Sequence, residues 1–459
     1  MVSIAESQLV GGEFFSDLEE VRADRAGSQL LDGALFAWRL RPGFRGVSSR
    51  PRSSRMAAAA HAVRPGLRDF PGKGGRRPRS LRYVSPCSTR NTIEARSSVR
   101  EMMMSTTAID YERVRHFAGK VVGDLAGVSA SVLAIIGDRL GLFRALDEGG
   151  PATSAELAAR AGVAERYARE WLYGLHAAGY LELDRERGSF SLPAEHAEVL
   201  AREGAPLFLA GGYQGLRGEL AVLDLLTEAF RSGGGVPQAD YPDDMTEGIR
   251  RNSAPWFEHQ LLQQWIPAVD GLRENLEGGT RYADVGCGAG HALLTLAKKF
   301  PHSTFVGYDA FPDAIDQARR TGKREGLSDR LRFELLDAAA GIPERYDVMS
   351  TFDVVHDAID PTGLLSAIKC SLEPDGTYLM LEWRCADDPA ENVGPFSTLL
   401  YGISLMYCMT TSLAQGGAGL GTCGCPPAKV RRLCAEAGFT NVRELPIDSP
   451  VHILYEIKP

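Results

Sequence analysis

The residues best arranged for chemistry lie in Tyr282-Ala283-Asp284-Val285-Gly286-Cys287-Gly288-Ala289-Gly290-His291, an apolar run that enters a glycine-rich turn and leaves it as a helix over Ala292–Phe300. Glycines at alternate positions let a backbone turn sharply and leave room for a ligand against it. Nineteen residues after Gly290, closing a second apolar run, stands Asp309 in Phe305-Val306-Gly307-Tyr308-Asp309. An acid at the end of a second strand can bind both hydroxyls of a ribose. A dinucleotide site spaced GxGxxG would need a glycine at 291, where this chain has His291. Its pyrophosphate would also be repelled by Asp284, two residues before the first glycine. A ligand carrying an ammonium or sulfonium gains from that same carboxylate. Spacing and charge together favour S-adenosylmethionine (SAM) over NAD.

A second candidate is His356, in Asp353-Val354-Val355-His356-Asp357-Ala358 after the fourth apolar run. Methyl transfer from a sulfonium needs in-line alignment above all. A hydroxyl acceptor also profits from a general base, worth about 10²–10⁴ in rate. His356 is the candidate base, with Asp357 to orient or polarise it, or to cap the next helix. The plainer alternative is a pocket-lining or helix-capping histidine. Glu382-Trp383, after the fifth run, borders the expected acceptor pocket. Pro395–Gln415, with Phe396, Tyr401, Met406, Tyr407 and Met409, reads as an insertion covering the site, its apolar residues being core or lid.

These residues need a sheet edge to hold them. Short apolar strands are expected at Arg281–Val285, Thr304–Tyr308, Leu331–Leu336, Tyr346–Phe352, Thr377–Glu382 and Val451–Ile457, with helices between. Alternating βα units imply an α/β fold, a Rossmann-like doubly wound sheet with its ligand at the carboxyl ends of the strands. Upstream, Val121–Leu146 is helical, and Thr153-Ser154-Ala155-Glu156 is a capping box. A helix over Ala164–Ala178 and a hairpin from Tyr180–Asp184 and Ser189–Leu192 follow, which together make a winged helix. Tyr167, Trp171 and Leu175 fall on one face of its second helix, read as a packing face. Ala205–Gln264 is mainly helical, interrupted at Gly233–Gly235.

Residues 282–309 resemble the first two motifs of class I SAM-dependent methyltransferases. The resemblance implies that Asp284 supports the amino-acid end of the cofactor, that Gly286, Cys287, Gly288 and Gly290 form the turn beneath it, and that Asp309, with Ala310, holds the ribose. The family's adenine contact falls on Asp337, with Ala338 beside it, and Phe352 completes the set; a plain strand-ending acid is the other reading of Asp337. Lys429–Phe439 and a final strand fit the usual end of that fold. The His356-Asp357 pair is similar to that of plant-type small-molecule O-methyltransferases, which carry tryptophan two residues after the histidine; here Ala358 stands there. Over about 110–459 the chain is similar to a bacterial, chiefly actinobacterial, family joining a winged helix to a methyltransferase domain. Gly119–Asp124, Gly137–Leu142 and Glu165–Leu172 carry that likeness. Its members are described as methyltransferases or transcriptional regulators. The likeness to small-molecule O-methyltransferases implies a homodimer built through the winged helix. A transcriptional regulator that binds DNA through the winged helix and SAM or a metabolite as effector is the rival reading, and a SAM-binding pseudoenzyme is a third.

Composition sets the remaining bounds. Residues 1–103 carry 18 Lys and Arg against 10 Asp and Glu, so the chain's net charge of −8 conceals an acidic remainder of about −16. That balance argues against nucleic acid as a bulk substrate. Arg39–Arg100 is rich in Arg, Ser, Pro and Gly, a composition expected to stay disordered. A transit peptide, a functional tail, and a true start near Met102–Met104 are the open readings of this leader. Eight scattered cysteines show no zinc framework, so no metal is expected; Cys423-Gly-Cys425 is their one tight pairing. Val128–Ile136 and Phe396–Met409 are too short or too broken for membrane spans and read as buried helices. The expected division is a leader over 1–107, a winged-helix and dimerisation domain over 108–205, a helical connector over 206–275 and the methyltransferase domain over 276–459. Location is expected to be cytoplasmic, or an organelle if the leader directs import.

Overall fold

The computed structural model describes residues 109–459, and residues 125–459 form one compact unit. The expectations for the leader and for Cys87 lie outside the described residues.

Helix α1 (Tyr111–Arg139) leads into α2 (Leu142–Gly149), α3 (Ser154–Ala161) and α4 (Glu165–Ala177). The capping box forms as expected: the Thr153 side chain accepts from the Glu156 N–H, and the Glu156 carboxylate accepts from the Thr153 N–H at 2.7 Å. Strands β1 (Glu182–Asp184) and β2 (Ser189–Ser191) pair antiparallel as the wing. Phe143, Leu157, Trp171, Leu175 and Phe190 centre the core of this winged helix, and the Trp171 indole N–H donates to the Leu133 carbonyl.

Two expectations need correction here. Val128, Val132 and Ile136 are exposed rather than buried, as are Val121, Val122 and Leu125. Only Ala134, Ile135 and Gly137 of α1 are buried, because one narrow face of the helix meets the winged-helix core and nothing in the described residues covers the other. By length and composition α1 would also suffice to cross a membrane, although it is mostly uncovered in this fold. Tyr167 is likewise exposed, so the packing face of α4 consists of Ala168, Trp171, Leu172 and Leu175.

The middle of the chain is helical: α5 (Ala194–Leu200), α6 (Ala210–Leu220), α7 (Leu223–Ser232) and α8 (Asp244–His259), then a π-turn at Leu261–Trp265 and α9 (Leu272–Gly278). Helices α6 and α8 touch through glycines. A Cβ on Gly248 would come within 2.3 Å of the Gly215 nitrogen, and one on Gly211 within 2.6 Å of the Asn252 nitrogen. Only glycine permits backbones this close. Arg251 of α8 ties back to Asp138 of α1 with paired bonds of 2.8 and 2.9 Å.

The rest is a seven-stranded sheet. Its strands are β3 (Arg281–Val285), β4 (Thr304–Asp309), β5 (Leu331–Leu335), β6 (Tyr346–Phe352), β7 (Leu372–Trp383), β8 (Asn441–Leu445) and β9 (His452–Lys458). They lie in the order β5-β4-β3-β6-β7-β9-β8, with β3 to β7 parallel and β9 antiparallel to β7 and β8. Helices α10 (His291–Lys299), α11 (Pro312–Arg324) and α12 (Pro361–Ser371) join the parallel strands, and α15 (Pro427–Glu436) precedes β8. Apolar cores on the two faces account for the near-continuous apolar strands. Connections leave β3 and β6 for opposite sides of the sheet, so the crevice at their carboxyl ends is a topological switch point. Over it runs a helical segment: α13 (Gly394–Ile403), a π-turn at Ser404–Cys408 and α14 (Met409–Ala414). Phe396–Met409 is therefore only partly buried, with Leu399 and Tyr401 exposed and Leu400, Tyr407 and Cys408 inside.

Candidate active site

The glycine turn leaves β3 and is clamped from β4. Gly286 and Cys287 donate their N–H groups to the Tyr308 carbonyl at 2.8 and 3.0 Å. Asp309 accepts from the Gly288 N–H at 2.8 Å and from the Phe311 N–H at 2.9 Å, so one oxygen holds the glycine turn and the other the loop that follows β4. All three glycines have positive φ, of 72°, 53° and 81°. Their surroundings differ. A Cβ on Gly286 would meet Val354 at 2.5 Å and one on Gly290 would meet Phe333 at 2.4 Å, whereas one on Gly288 would meet nothing within 4 Å. Gly286 and Gly290 serve packing, and Gly288 leaves open space above the turn.

Asp284 and Asp309 are buried beside this space, and neither has a cationic partner among the described residues. Burial pushes the Asp284 carboxyl up to about 7, although it accepts from the Ser350 hydroxyl at 2.6 Å. Burial likewise raises Asp309, offset in part by the backbone N–H groups of Phe311, Gly288 and Ala310. Two buried carboxyls without a counter-ion fit a ligand that brings positive charge, and they would repel a pyrophosphate. The residues present therefore fit SAM.

Other expected cofactor residues are placed as follows. Ala310 is exposed just beyond Asp309, and Cys287 is buried, its thiol raised by burial and by the neighbouring acids. Asp337 caps the short turn Ala338–Ala340 by accepting from the Ala339 N–H at 3.1 Å; it is exposed, while Ala338 is buried. Phe352 packs its ring between Phe257 and Trp265, at 5.5 and 5.4 Å.

His356 sits in the turn after β6 and is 2% exposed. Its Nδ1 lies 2.6 Å from Glu382 Oε2, and the other oxygen of Glu382 accepts from the Val355 N–H at 3.0 Å. Its Nε2 lies 3.3 Å from Asp357 Oδ1, without the alignment of a hydrogen bond, and the ring also contacts the Cys408 thiol. Burial alone would drive the proton off. The Asp357 and Glu382 carboxylates outweigh it and hold the imidazole well above its ordinary range. Thus Glu382, read from sequence only as a pocket border, is the residue that holds His356. Asp357 stands on the opposite side of the ring, and Asp360 caps α12 by accepting from Gly363 at 2.8 Å. Asp353, at φ 57°, is the one non-glycine among the described residues in the left-handed region, a strained position often found at functional sites. Its carboxylate lies 3.2 Å from His452 Nε2, and the His452 ring packs between Trp256 and Trp383. Oxygen, nitrogen and sulfur donors of His356, Asp357 and Cys408 come within 4.8 Å of one another, as do those of Asp353, His356 and Glu382. All seven described cysteines are free thiols.

Tyr407 stands near both sets of residues. It lies within electrostatic reach of Asp309, Asp357 and Tyr241, and its ring meets that of Tyr241 edge-on at 5.2 Å.

Fold and site together present a methyltransferase domain led by a winged helix. Residues 128–202 match the Rv2258c-like winged HTH domain, and residues 276–404 match a methyltransferase domain. The chain is 28% identical over 277 residues to 3-hydroxy-5-methyl-1-naphthoate 3-O-methyltransferase of Streptomyces sahachiroi, covering 58% of this chain and 76% of that protein. A stretch of 112 residues is 31% identical to polyketide synthase ThaQ of Burkholderia thailandensis, which is 24% of this chain and 5% of that protein's length. Human N-acetylserotonin methyltransferase in complex with SAM shares the fold, with a TM-score of 0.55 and 19% identity over 76% of this chain and 99% of its own.

Proposed function

We propose that this protein moves a methyl group from SAM to the hydroxyl oxygen of a small aromatic acceptor. The observation that carries this reading is His356, pinned at Nδ1 by Glu382 with its Nε2 3.3 Å from Asp357 in the turn after β6. SAM, when bound, supplies an electrophilic methyl group on a sulfonium. Asp284 and Asp309 meet its positive and ribose groups, and Gly288 leaves it room. Glu382 keeps a proton on Nδ1, so that Nε2 takes the proton of the acceptor hydroxyl as it becomes the nucleophile. Tyr407, Cys408 and Met406 from the covering helix supply an apolar wall that excludes water. The test is tritium transfer from labelled SAM to a panel of phenols and naphthols, with His356→Ala as control. Transfer by the parent and a loss of at least about 10² in the variant supports the reading. Equal rates would remove His356 from the chemistry.

The exposed apolar stripe of α1 supports a homodimer in which a second copy covers Leu125, Val128, Val132 and Ile136. DNA binding by the winged helix is the weaker reading. Arg166 and Arg169 of α4 are paired with Glu170 and Glu165, and Arg187 of the wing lies near Asp184, so few cations are free for phosphates. Absence of salt-dependent affinity for duplex DNA would close that alternative.

A further inference from the structure

Glu382 engages Nδ1 of His356, which leaves Nε2 as the free donor atom of the ring. Asp357 Oδ1 stands 3.3 Å from Nε2. The Cys408 sulfur reaches the same point from the covering segment, and the three donor atoms lie within 4.8 Å of one another. Asp357 Oδ1 is buried and has no hydrogen-bond partner. A buried oxygen of this kind calls for a partner that the chain does not supply. The other two donors are held by one loop. The Thr422 hydroxyl donates to the Cys408 sulfur at 3.2 Å, and the neighbouring Gly421 N–H donates to the His356 carbonyl at 3.1 Å.

Imidazole nitrogen, thiolate sulfur and carboxylate oxygen are the three ligand types of zinc, which binds them at about 2.0–2.3 Å. A nitrogen and an oxygen on one tetrahedral zinc ion stand about 3.3 Å apart, which is the separation of Nε2 and Oδ1. Glu382 is placed as the carboxylate that orients a ligating histidine through its other ring nitrogen. Two carboxylates, those of Asp357 and Glu382, face a single imidazole, so a dication also improves the balance of charge. Asp353, His356 and Glu382 form a second group of donors. There the 2.6 Å between Nδ1 and Oε2 is a hydrogen bond, too short for two ligands of one tetrahedral ion. The sequence shows no zinc framework because the thiol arrives from a different element than the imidazole and the carboxylate.

We propose that His356 Nε2, Asp357 Oδ1 and the Cys408 thiolate bind one zinc ion, and that this ion reversibly silences the site. Coordination releases the thiol proton to solvent. Three protein ligands leave the fourth position of the ion open. The silencing rests on the reading of His356 as the base: the lone pair of Nε2 goes either to the metal or to the proton of the acceptor. The metal site itself does not depend on that reading.

The experiment titrates the full chain, without SAM or acceptor, with Co²⁺ as a coloured substitute for zinc. One equivalent is expected to give the charge-transfer absorption of a cobalt–thiolate bond. Zn²⁺, the stronger binder, should bleach it. Cys408→Ser should abolish the absorption. Asp357→Asn, at a half-exposed position, should weaken Co²⁺ binding at least about tenfold, the least that loss of even a supporting group costs such sites. It keeps the test sound should Cys408→Ser fail to fold. Cys423→Ser, which alters a thiol outside the set, should change neither. No cobalt–thiolate absorption in the wild type overturns the site, as does its survival in Cys408→Ser, its loss in Cys423→Ser, or an unchanged affinity in Asp357→Asn. Methyl transfer by the wild type should fall at least about 10² when Zn²⁺ saturates the site and recover with a chelator. Transfer untouched by bound Zn²⁺ overturns the silencing. Absence of transfer by the metal-free protein strikes the reading of His356 as base, and the silencing with it, while the cobalt titration still decides the site.

Discussion

Replacing Glu382 by glutamine should abolish general-base catalysis while leaving the site assembled. The carboxylate has two fixed duties, accepting from the Val355 N–H at 3.0 Å and from His356 Nδ1 at 2.6 Å. A backbone N–H can only donate, so the new amide must turn its carbonyl toward Val355. Its NH2 then faces Nδ1, which must become an acceptor, and the imidazole proton moves to Nε2. The nitrogen that would take the acceptor's proton has lost its lone pair. The loss in kcat should approach the whole value of the base, about 10²–10⁴, or about 3–5 kcal/mol at 1.36 kcal/mol per tenfold. SAM affinity should be unchanged, because Glu382 touches no residue of the glycine turn. Tritium transfer from SAM to a phenolic acceptor reads the rate, and ¹⁵N correlation spectra of the imidazole read the tautomer. A variant with near-parental kcat, or one that keeps its proton on Nδ1, would refute the reasoning.

Other outcomes follow from the same geometry. Asp309→Ala removes the acceptor of two backbone N–H groups, each bond to a charged group being worth about 1.5–3 kcal/mol; calorimetry should find SAM binding lost and the thermal midpoint lowered. Asp284 ionises near 7, and only its charged form attracts a cation. SAM affinity should therefore climb as pH rises through about 7 and level off above it, while Asp284→Asn gives a flat and weaker profile. His356 is held protonated above its ordinary range, so its base form appears as pH rises and the rate limb should lie on the alkaline side of neutrality. Asp357→Asn removes one stabilising carboxylate and should move that limb toward lower pH, a shift that rate–pH profiles will show or deny. Val128→Asp with Val132→Asp, on the exposed stripe of α1, should yield a monomer by light scattering if a second copy covers that face.

What could be read from the sequence was what is decided locally. The turn at Gly286–Gly290 requires positive φ, and only glycine adopts it cheaply, so the motif is visible in one dimension. Thr153 and Glu156 announced a helix start for the same reason. Glu382 was harder to read, because its partner His356 lies 26 residues earlier and the two meet only through β6–β7 pairing. Strand β8 escaped because Asn-Val-Arg-Glu-Leu at a sheet edge has no apolar run. The stripe of α1 was misjudged because apolar spacing reports that a face wants cover, not whether the same chain supplies it.

The division of labour within Glu382 has an evolutionary corollary. One oxygen fixes the backbone of the turn and the other fixes the tautomer of the base, so every substitution but glutamine gives up both duties, and glutamine keeps only the first. His356, by contrast, could be exchanged with the turn still anchored through Val355. A lineage that abandoned catalysis would therefore be expected to lose the histidine first and keep the glutamate, leaving a cofactor binder with its architecture intact. The order in which these two residues disappear among descendants would distinguish retired enzymes from active ones.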